Sequence, residues 1–322
     1  MGEGTITDVP GILVGQVTDL QHWTGVTAVI APEGAVGGVS VRGSAPATRE
    51  TNALDPLGLV EKVHGVVLSG GSAFGLDAAS GVMAYLEEQG IGLETGYAKV
   101  PIVAAASLYD LGFGSSHVRP DKAMGYEAAR RMGAMKPEEQ GNVGAGTGAT
   151  VGKIYGPSSA MKGGLGTASR RFADGLVVGA VVAVNAVGEV ARPGEPPLAG
   201  VRDGDRILWL RQMAKERDIR EFRSAPGTAT TIGVVATNAR LNKVQATKVA
   251  QMAHGGLWNT IFPTHTLWDG DALFVLATGE VEASSDWVGS LAAEVVAEAI
   301  VHAVLYAQGA LGIPSAKDMG RA

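Results

Sequence analysis

The chain has 322 residues and a formal net charge of −6, from 26 Lys and Arg against 32 Asp and Glu, which is not the basic balance of a nucleic-acid binder. Its 46% hydrophobic and 18% charged content lets it bury a large core, so disorder is excluded, and 47 glycines without a triplet period exclude collagen. Cysteine is absent, which removes disulfides, thiolate metal sites, Cys-bound iron–sulfur clusters and a Cys nucleophile. The N-terminal residues 1–8 hold neither a basic stretch nor an apolar run, so no signal peptide is expected. The most apolar stretch, residues 176–187, has 12 residues and is too short to span a bilayer. A cytoplasmic protein without membrane or nucleic-acid partners is the expectation.

Residues 63–68 (VHGVVL) read as a short buried strand that ends in a Ser-Gly-Gly turn. Ser72 then caps a helix running to about Gln89, with Phe74, Ala78, Val82 and Leu86 on one face and Gly90 as its stop. A second helix is predicted over residues 122–132, with Asp121 as N-cap. Residues 176–187 form a long apolar strand whose one polar residue, Asn185, lies near its end. Residues 192–227 hold Pro193, Pro196, Pro197 and Pro226 and read as a surface linker, with a charged, potentially helical stretch over 210–223. Strands follow at 230–237 and 272–278, with a helix at 241–257 between them. A long closing helix at 286–311 carries Val288, Leu291, Val295, Ala299 and His302 in rough alignment, where His302 is expected to be a satisfied packing residue. Strands and helices come in blocks as well as alternately, which suits sheets layered between helices as well as a parallel doubly wound sheet. No internal repeat is visible.

Most local motifs fail on context. Gly144-Ala-Gly-Thr-Gly-Ala149 matches a permissive dinucleotide pattern but follows a polar stretch, where a pyrophosphate turn must follow a strand. Residues 146–153 miss the P-loop, because five residues separate Gly146 from Gly152-Lys153 where four are needed, and Ile154 stands where a hydroxyl is needed. Phe74 breaks a GxSxG elbow around Ser72. The six histidines show no zinc-site spacing. Asp269-Gly-Asp271, before a strand, could bind a divalent ion or be turn chemistry, and a Thr opening a strand is an ordinary strand former.

Taken together, several segments resemble the self-processing family of L-aminopeptidase/D-esterases, β-peptidyl aminopeptidases and nylon-oligomer (6-aminohexanoate oligomer) hydrolases. The resemblance runs through Ile6-Thr-Asp-Val-Pro-Gly-Ile-Leu-Val-Gly15, Leu68-Ser-Gly-Gly-Ser-Ala-Phe-Gly-Leu-Asp77 and Leu108-Tyr-Asp-Leu-Gly-Phe-Gly114. It continues from Gly144-Ala-Gly to Lys153 and Val184-Asn185, and closes with Thr230-Thr-Ile-Gly-Val-Val-Ala-Thr-Asn238 and Asp269-Gly-Asp271. It covers nearly the whole chain in family order. The Thr nucleophile and Asp-x-Asp pair look most like the nylon-oligomer hydrolase branch, since the aminopeptidase branch usually carries Ser and Ser-x-Glu.

The resemblance implies an α+β, four-layer αββα sandwich of the N-terminal-nucleophile type. It implies a precursor that cuts itself between Ala229 and Thr230 into an α chain, 1–229, and a β chain, 230–322. The freed Thr230 amine, with an ordinary pKa of about 7.7–8.0, could then take the proton of its own hydroxyl. Lys153 would lower the pKa of that amine, Asn185 would hold it or line the oxyanion hole, and Tyr109 would offer its hydroxyl to the oxyanion. Asp269 and Asp271 would anchor Lys153 and the nucleophile by charge-assisted bonds. No cofactor or metal is expected, and the partners implied are a small amide or short peptide substrate and further copies of the chain, as a homotetramer of cleaved pairs. Relatives commonly carry Asn or Gly before the scissile bond. An N→O acyl shift needs a reachable carbonyl more than a special side chain, so cleavage after Ala229 is still expected.

Three competing readings go with this one. An aminopeptidase would release N-terminal residues from small peptides or amides. An acyltransferase like ornithine acetyltransferase has a Met-Ala-Thr-Met-Leu-like nucleophile segment, which Ala229-Thr-Thr-Ile-Gly does not resemble. An uncut, non-catalytic scaffold is disfavoured by the intact set of polar candidates.

Overall fold

The computed structural model describes residues 4–216 and 227–321. Nine strands make one sheet: β1 (Leu13–Asp19), β2 (Thr24–Val41), β3 (Thr48–Arg49), β4 (Lys62–Ser69), β5 (Val103–Ser107), β6 (Gly164–Arg171), β7 (Val177–Asn185), β8 (Thr230–Ala239) and β9 (Ala272–Val281). Their order is β6–β7–β8–β9–β2–β4–β5–β3, and β1 pairs with β2 off that path. Around them lie α1 (Ala78–Glu88), α2 (Lys122–Arg130), α3 (Leu210–Lys215), α4 (Lys243–Thr260) and α5 (Ser285–Leu305).

The sheet doubles back through β2. The first half of this 18-residue strand pairs with β1 and β4; after a register shift between Ile30 and Ala35 the second half pairs with β9 and, at Ala35 and Val36, still with β4. The two halves of the sheet face each other across a core containing Val29, Val66, Leu68, Val181, Ile232, Val234 and Phe274. Strand alternation sends the neighbouring residues outward. Val26, Ala28, Val67 and Ala105 pack under Val82 and Leu86 of α1 and Ala128 of α2. Val182, Val235 and Val275 pack under Val249 of α4 and Val295 and Ile300 of α5. The result is the α+β, αββα order of layers, and because both faces of each half are covered, the strands read as nearly unbroken apolar runs.

Several expected elements shift. The helix placed at Ser72 starts instead as a 3₁₀ turn, Ser72–Asp77, and becomes α-helical only at Ala78. Ser72 has φ +55° and makes no capping bond, and Phe74 is exposed under the Arg119 guanidinium, 4.0 Å from its ring centre, so it does not join the buried face. Asp121 caps α2 as expected, accepting from the Met124 N–H at 2.9 Å. His302 is satisfied, its Nδ1 lying 2.8 Å from the Thr167 carbonyl oxygen. Strands β1, β2, β3, β5 and β6 are not predicted from the sequence; in β2, Pro32 and four glycines look like loop chemistry. The helix expected over 210–223 is formed over Leu210–Lys215, and 217–226 lies outside the described residues. Helix α5 is long and apolar enough to cross a membrane by length and composition; here it packs against α4 and strands β6 and β7.

Helices α1 and α2 meet backbone to backbone. A Cβ on Gly125 would lie 1.8 Å from the Ala78 carbonyl oxygen, and one on Gly81 would lie 1.9 Å from that of Lys122. Helix propensity alone favours Gly125→Ala by about 1 kcal/mol. The steric cost should prevail, and denaturant unfolding should show a net loss of about 1–3 kcal/mol. Gly133→Ala, whose Cβ would meet nothing within 4 Å, should leave stability near wild type.

Candidate active site

Thr230 opens β8, and the strands on either side of it assemble the site. Asn185, the last residue of β7, lies opposite Thr230 in the antiparallel ladder. On the other side β9 runs parallel to β8, and just ahead of both strands Ala229 bridges Asp269. The Asp269-Gly270-Asp271 turn therefore lies across the Ala229–Thr230 peptide bond. The Gly270 N–H donates to the Ala229 carbonyl oxygen at 3.0 Å, and the Thr230 hydroxyl donates to the same oxygen. Only glycine fits this approach: a Cβ on Gly270 would sit 2.7 Å from the Ala45 carbonyl oxygen and 2.9 Å from Thr230 Oγ1.

Both aspartates are buried and accept from several donors. Asp271 Oδ1 accepts the Thr231 N–H at 2.7 Å; its Oδ2 accepts the Thr264 hydroxyl and the His265 N–H, each at 3.1 Å, and faces His265 Nδ1 at 2.8 Å. Asp269 Oδ2 accepts the Thr266 N–H at 2.9 Å and the Thr266 hydroxyl at 2.6 Å. Burial, and then the neighbouring Asp271 carboxylate, push Asp269 up to about 7. The expected bond from Asp271 to Thr230 falls one residue further on, at the Thr231 amide, because the parallel register sets Asp271 beside the second residue of β8. Among the described residues, no group of three His, Asp or Glu side chains converges as a metal cage would.

Lys153 is buried beside Asn185, donating from Nζ to the Asn185 carbonyl at 3.0 Å and to its Oδ1 at 2.7 Å. Burial lowers its pKa to about 7 against the opposing pull of Asp269 and Asp110. Asp269 thus acts on Lys153 through its charge, while the hydrogen bonds of the lysine go to Asn185. The Asn185 side chain is itself fully engaged: Oδ1 also accepts the Thr150 N–H at 3.0 Å, and Nδ2 donates to the carbonyls of Tyr109 at 2.9 Å and Thr228 at 3.4 Å. Where Asn185 was expected to hold the Thr230 amine or an oxyanion, it ties Lys153, the Tyr109 loop and the segment before the junction to the end of β7. Tyr109 lines the adjoining cavity of about 310 Å³ together with Asp110, Phe113, Thr150, Lys153 and Thr228.

Sequence reasoning missed a second set of buried charges, Asp110 on the same cavity and Lys162 behind it against Phe113. Asp110 accepts the Gly71 N–H at 2.7 Å and the Thr24 hydroxyl at 2.8 Å, and burial raises its pKa. Lys162 is fully buried, and its pKa is lowered by that burial to about 7. It donates to the carbonyls of Thr147 at 3.0 Å and Ala149 at 2.6 Å, with its ammonium 4.4 Å from the centre of the Phe113 ring. Two carbonyls of the 144–149 loop therefore point inward at a cation. A phosphate cradle would present its N–H groups to the ligand instead. His265 and Thr264 were missed as well. Their only signal was a run of hydroxyl and imidazole side chains, Thr264-His-Thr266, just upstream of Asp269.

Residues 4–317 match peptidase family S58, and the chain belongs to that family. It is 40% identical to an uncharacterized aminopeptidase of Mycobacterium leprae, over 97% of this chain and 92% of the relative. It is 30% identical to a 6-aminohexanoate-oligomer endohydrolase of a Kocuria species, over 92% of this chain and 84% of the relative. In structure it resembles the L-aminopeptidase D-Ala-esterase/amidase of Ochrobactrum anthropi, described as a variant of the Ntn hydrolase fold, with a TM-score of 0.73 at 21% identity over 99% of this chain and 93% of that one. The fold is that of the Ntn hydrolases, and family membership makes the chain a hydrolase of amide bonds.

The buried lysine gives a measurable pH signature. Lys153 loses its proton at about 7 when folded, against 10.5 for the ordinary side chain. Between those values the unfolded chain binds a proton that the folded chain does not, so this residue makes stability rise with pH, at most by about 1.4 kcal/mol per unit. Lys153→Met keeps the unbranched stem and removes the titration. Its unfolding free energy, measured in denaturant from pH 7 to 10, should climb less steeply than that of wild type.

Proposed function

We propose that the chain is a self-processing amide hydrolase whose nucleophile is Thr230, freed as an N-terminus by cleavage after Ala229. The observation that supports this best is the arrangement at the junction. The Thr230 hydroxyl lies against the carbonyl of the bond to be cut, and the Gly270 N–H already polarises that carbonyl. In the cutting step Thr230 Oγ attacks the Ala229 carbonyl carbon, and negative charge builds on the oxygen that faces Gly270 N–H. Collapse of the tetrahedral species breaks the C–N bond, passes a proton to the departing Thr230 nitrogen and leaves an ester. Water then hydrolyses the ester, giving the Ala229 carboxylate and a free Thr230 amine.

In the mature protein that amine is the base for its own hydroxyl. The Lys153 charge lowers the pKa of the amine, and Asn185 fixes the lysine at the strand end opposite the nucleophile. Acyl transfer to Thr230 releases the amine half of a substrate seated in the adjoining cavity, and water releases the acid half. The substrates proposed are linear amides of unbranched ω-amino acids, in line with the Thr nucleophile and the Asp-x-Asp pair. A second reading, release of N-terminal residues from short peptides, draws on the higher identity to a protein named as an aminopeptidase.

Intact mass of the denatured protein should resolve residues 1–229 and 230–322, and N-terminal sequencing of the smaller piece should begin Thr-Thr-Ile-Gly. Thr230→Ala should abolish both cleavage and turnover, and Thr230→Ser should keep part of each. An uncut protein that still hydrolyses amides would refute the assignment, and an active Thr230→Ala beside a dead Thr231→Ala would move the nucleophile by one residue. A linear aminohexanoate oligomer assayed beside an amino-acid p-nitroanilide separates the two substrate classes. Excess EDTA should leave the rate unchanged.

A further inference from the structure

Asp271 does not reach Thr230 directly, so whatever it contributes must pass through the backbone it holds. Its Oδ1 takes the Thr231 N–H at 2.7 Å, which fixes the first peptide unit of β8 after the nucleophile. Its Oδ2 is held chiefly by one residue: His265 presents its backbone N–H at 3.1 Å and its ring Nδ1 at 2.8 Å to the same oxygen. A carboxylate only accepts, so Nδ1 is the protonated nitrogen of this contact. His265 sits at φ +57°, a left-handed conformation that costs a residue of its kind free energy unless its surroundings impose it. Its two bonds to Asp271 hold it there.

The other side of the ring is walled. His254 of α4 packs edge-on to it with ring centres 4.8 Å apart, and His254 is itself fixed by Nε2 against the Ser40 carbonyl of β2 at 2.9 Å. A continuous line of contacts thus runs from the sandwich to the nucleophile: Ser40, His254, His265, Asp271, Thr231. Ser40, His254 and His265 lie outside the motifs in the sequence.

We propose that His265 is a positioning residue for the nucleophile. Its imidazole locks the Asp271 carboxylate in the one rotamer that holds the Thr231 amide, and so holds Thr230 Oγ against the Ala229 carbonyl before the cut and in line with a substrate afterwards. The proposal rests on Thr230 being the nucleophile, and the experiment separates the two claims.

The test compares His265→Phe with His265→Asn in the full-length protein. Phe keeps the ring that packs on His254 and removes the Nδ1 donor. Asn tolerates the left-handed backbone and returns an N–H donor at the same branch of the side chain. With wild type cut after Ala229, His265→Phe should mature more slowly and lose about 10²-fold in kcat, the cost of roughly an ångström of misplacement, with KM little changed. His265→Asn should recover most of both rates. A merely structural role predicts losses that track melting temperature and no recovery specific to the donor. If His265→Phe fails to fold, His265→Gly against His265→Asn repeats the contrast, since both accept the backbone and only Asn carries the donor.

The inference is overturned if the donorless variants mature and turn over like wild type. It is equally overturned if His265→Asn is as impaired as His265→Phe while both melt like wild type. An uncut, inactive wild type would instead remove the Thr230 reading, and this inference with it.

Discussion

The parallel pairing of β8 with β9 is the constraint on which the candidate site depends. It sets Ala229 beside Asp269, so the turn that starts β9 is laid across the peptide bond that starts β8. From this one register follow the Gly270 N–H on the Ala229 carbonyl, the Asp271 carboxylate on the Thr231 amide, and the need for glycine between the aspartates. A slip of one residue would turn every β8 side chain to the opposite face, exchanging Ile232 and Val234, which fill the inner core, with the residues that face the helices. Hydrophobic burial on both faces thus fixes, to the residue, which peptide bond the turn covers.

The cost of this site is charge taken out of water. Lys153, Lys162, Asp110 and Asp269 are all buried, and burial moves each pKa toward the uncharged form. The fold meets the cost with donors and acceptors rather than with close ion pairs: Lys153 donates hydrogen bonds to Asn185, Lys162 to two loop carbonyls, and Asp269 accepts from Thr266. Burial draws the lysine down and the aspartate up, so their proton affinities approach each other, the tuning that acid–base sites use. Such a concentration of buried, perturbed groups, two of which line one cavity, serves stability poorly, which is a physical reason to read it as function.

Much of this was legible in the sequence, and unevenly so. Unbroken apolar runs such as 176–187 marked strands covered on both faces, and Asp121 marked the start of α2. The bent strand β2 stayed hidden because Pro32 and Gly34 mimic a hairpin turn; in the fold that point is the irregularity that lets one strand serve both halves of the sandwich. The residues carrying chemistry were legible only jointly. Lys153, Asn185, Thr230 and Asp269 are each unremarkable alone and meet only through strand pairings between distant segments. Asp110, Lys162 and His265 were illegible for a further reason: their importance lies in burial and in what lies opposite them, which no local pattern records.

The topology also bears on what a cut after Ala229 would do. Strands β8 and β9 both follow the junction, and in the sheet they lie between β7 and β2, which both precede it. The segment after residue 229 is therefore seated in the middle of the sheet, hydrogen-bonded along both edges and roofed by α4 and α5. Severing the one bond between Ala229 and Thr230 leaves those ladders and the buried core intact, so the pieces have no route apart short of unfolding. The new amine would emerge at the end of a strand whose next amide is already held by Asp271 and whose partner Asn185 is already bound to Lys153. Backbone pairing made before the cut would thus preorganise the nucleophile after it, with the conformational entropy of the site lost during folding and none left to lose at the chemical step.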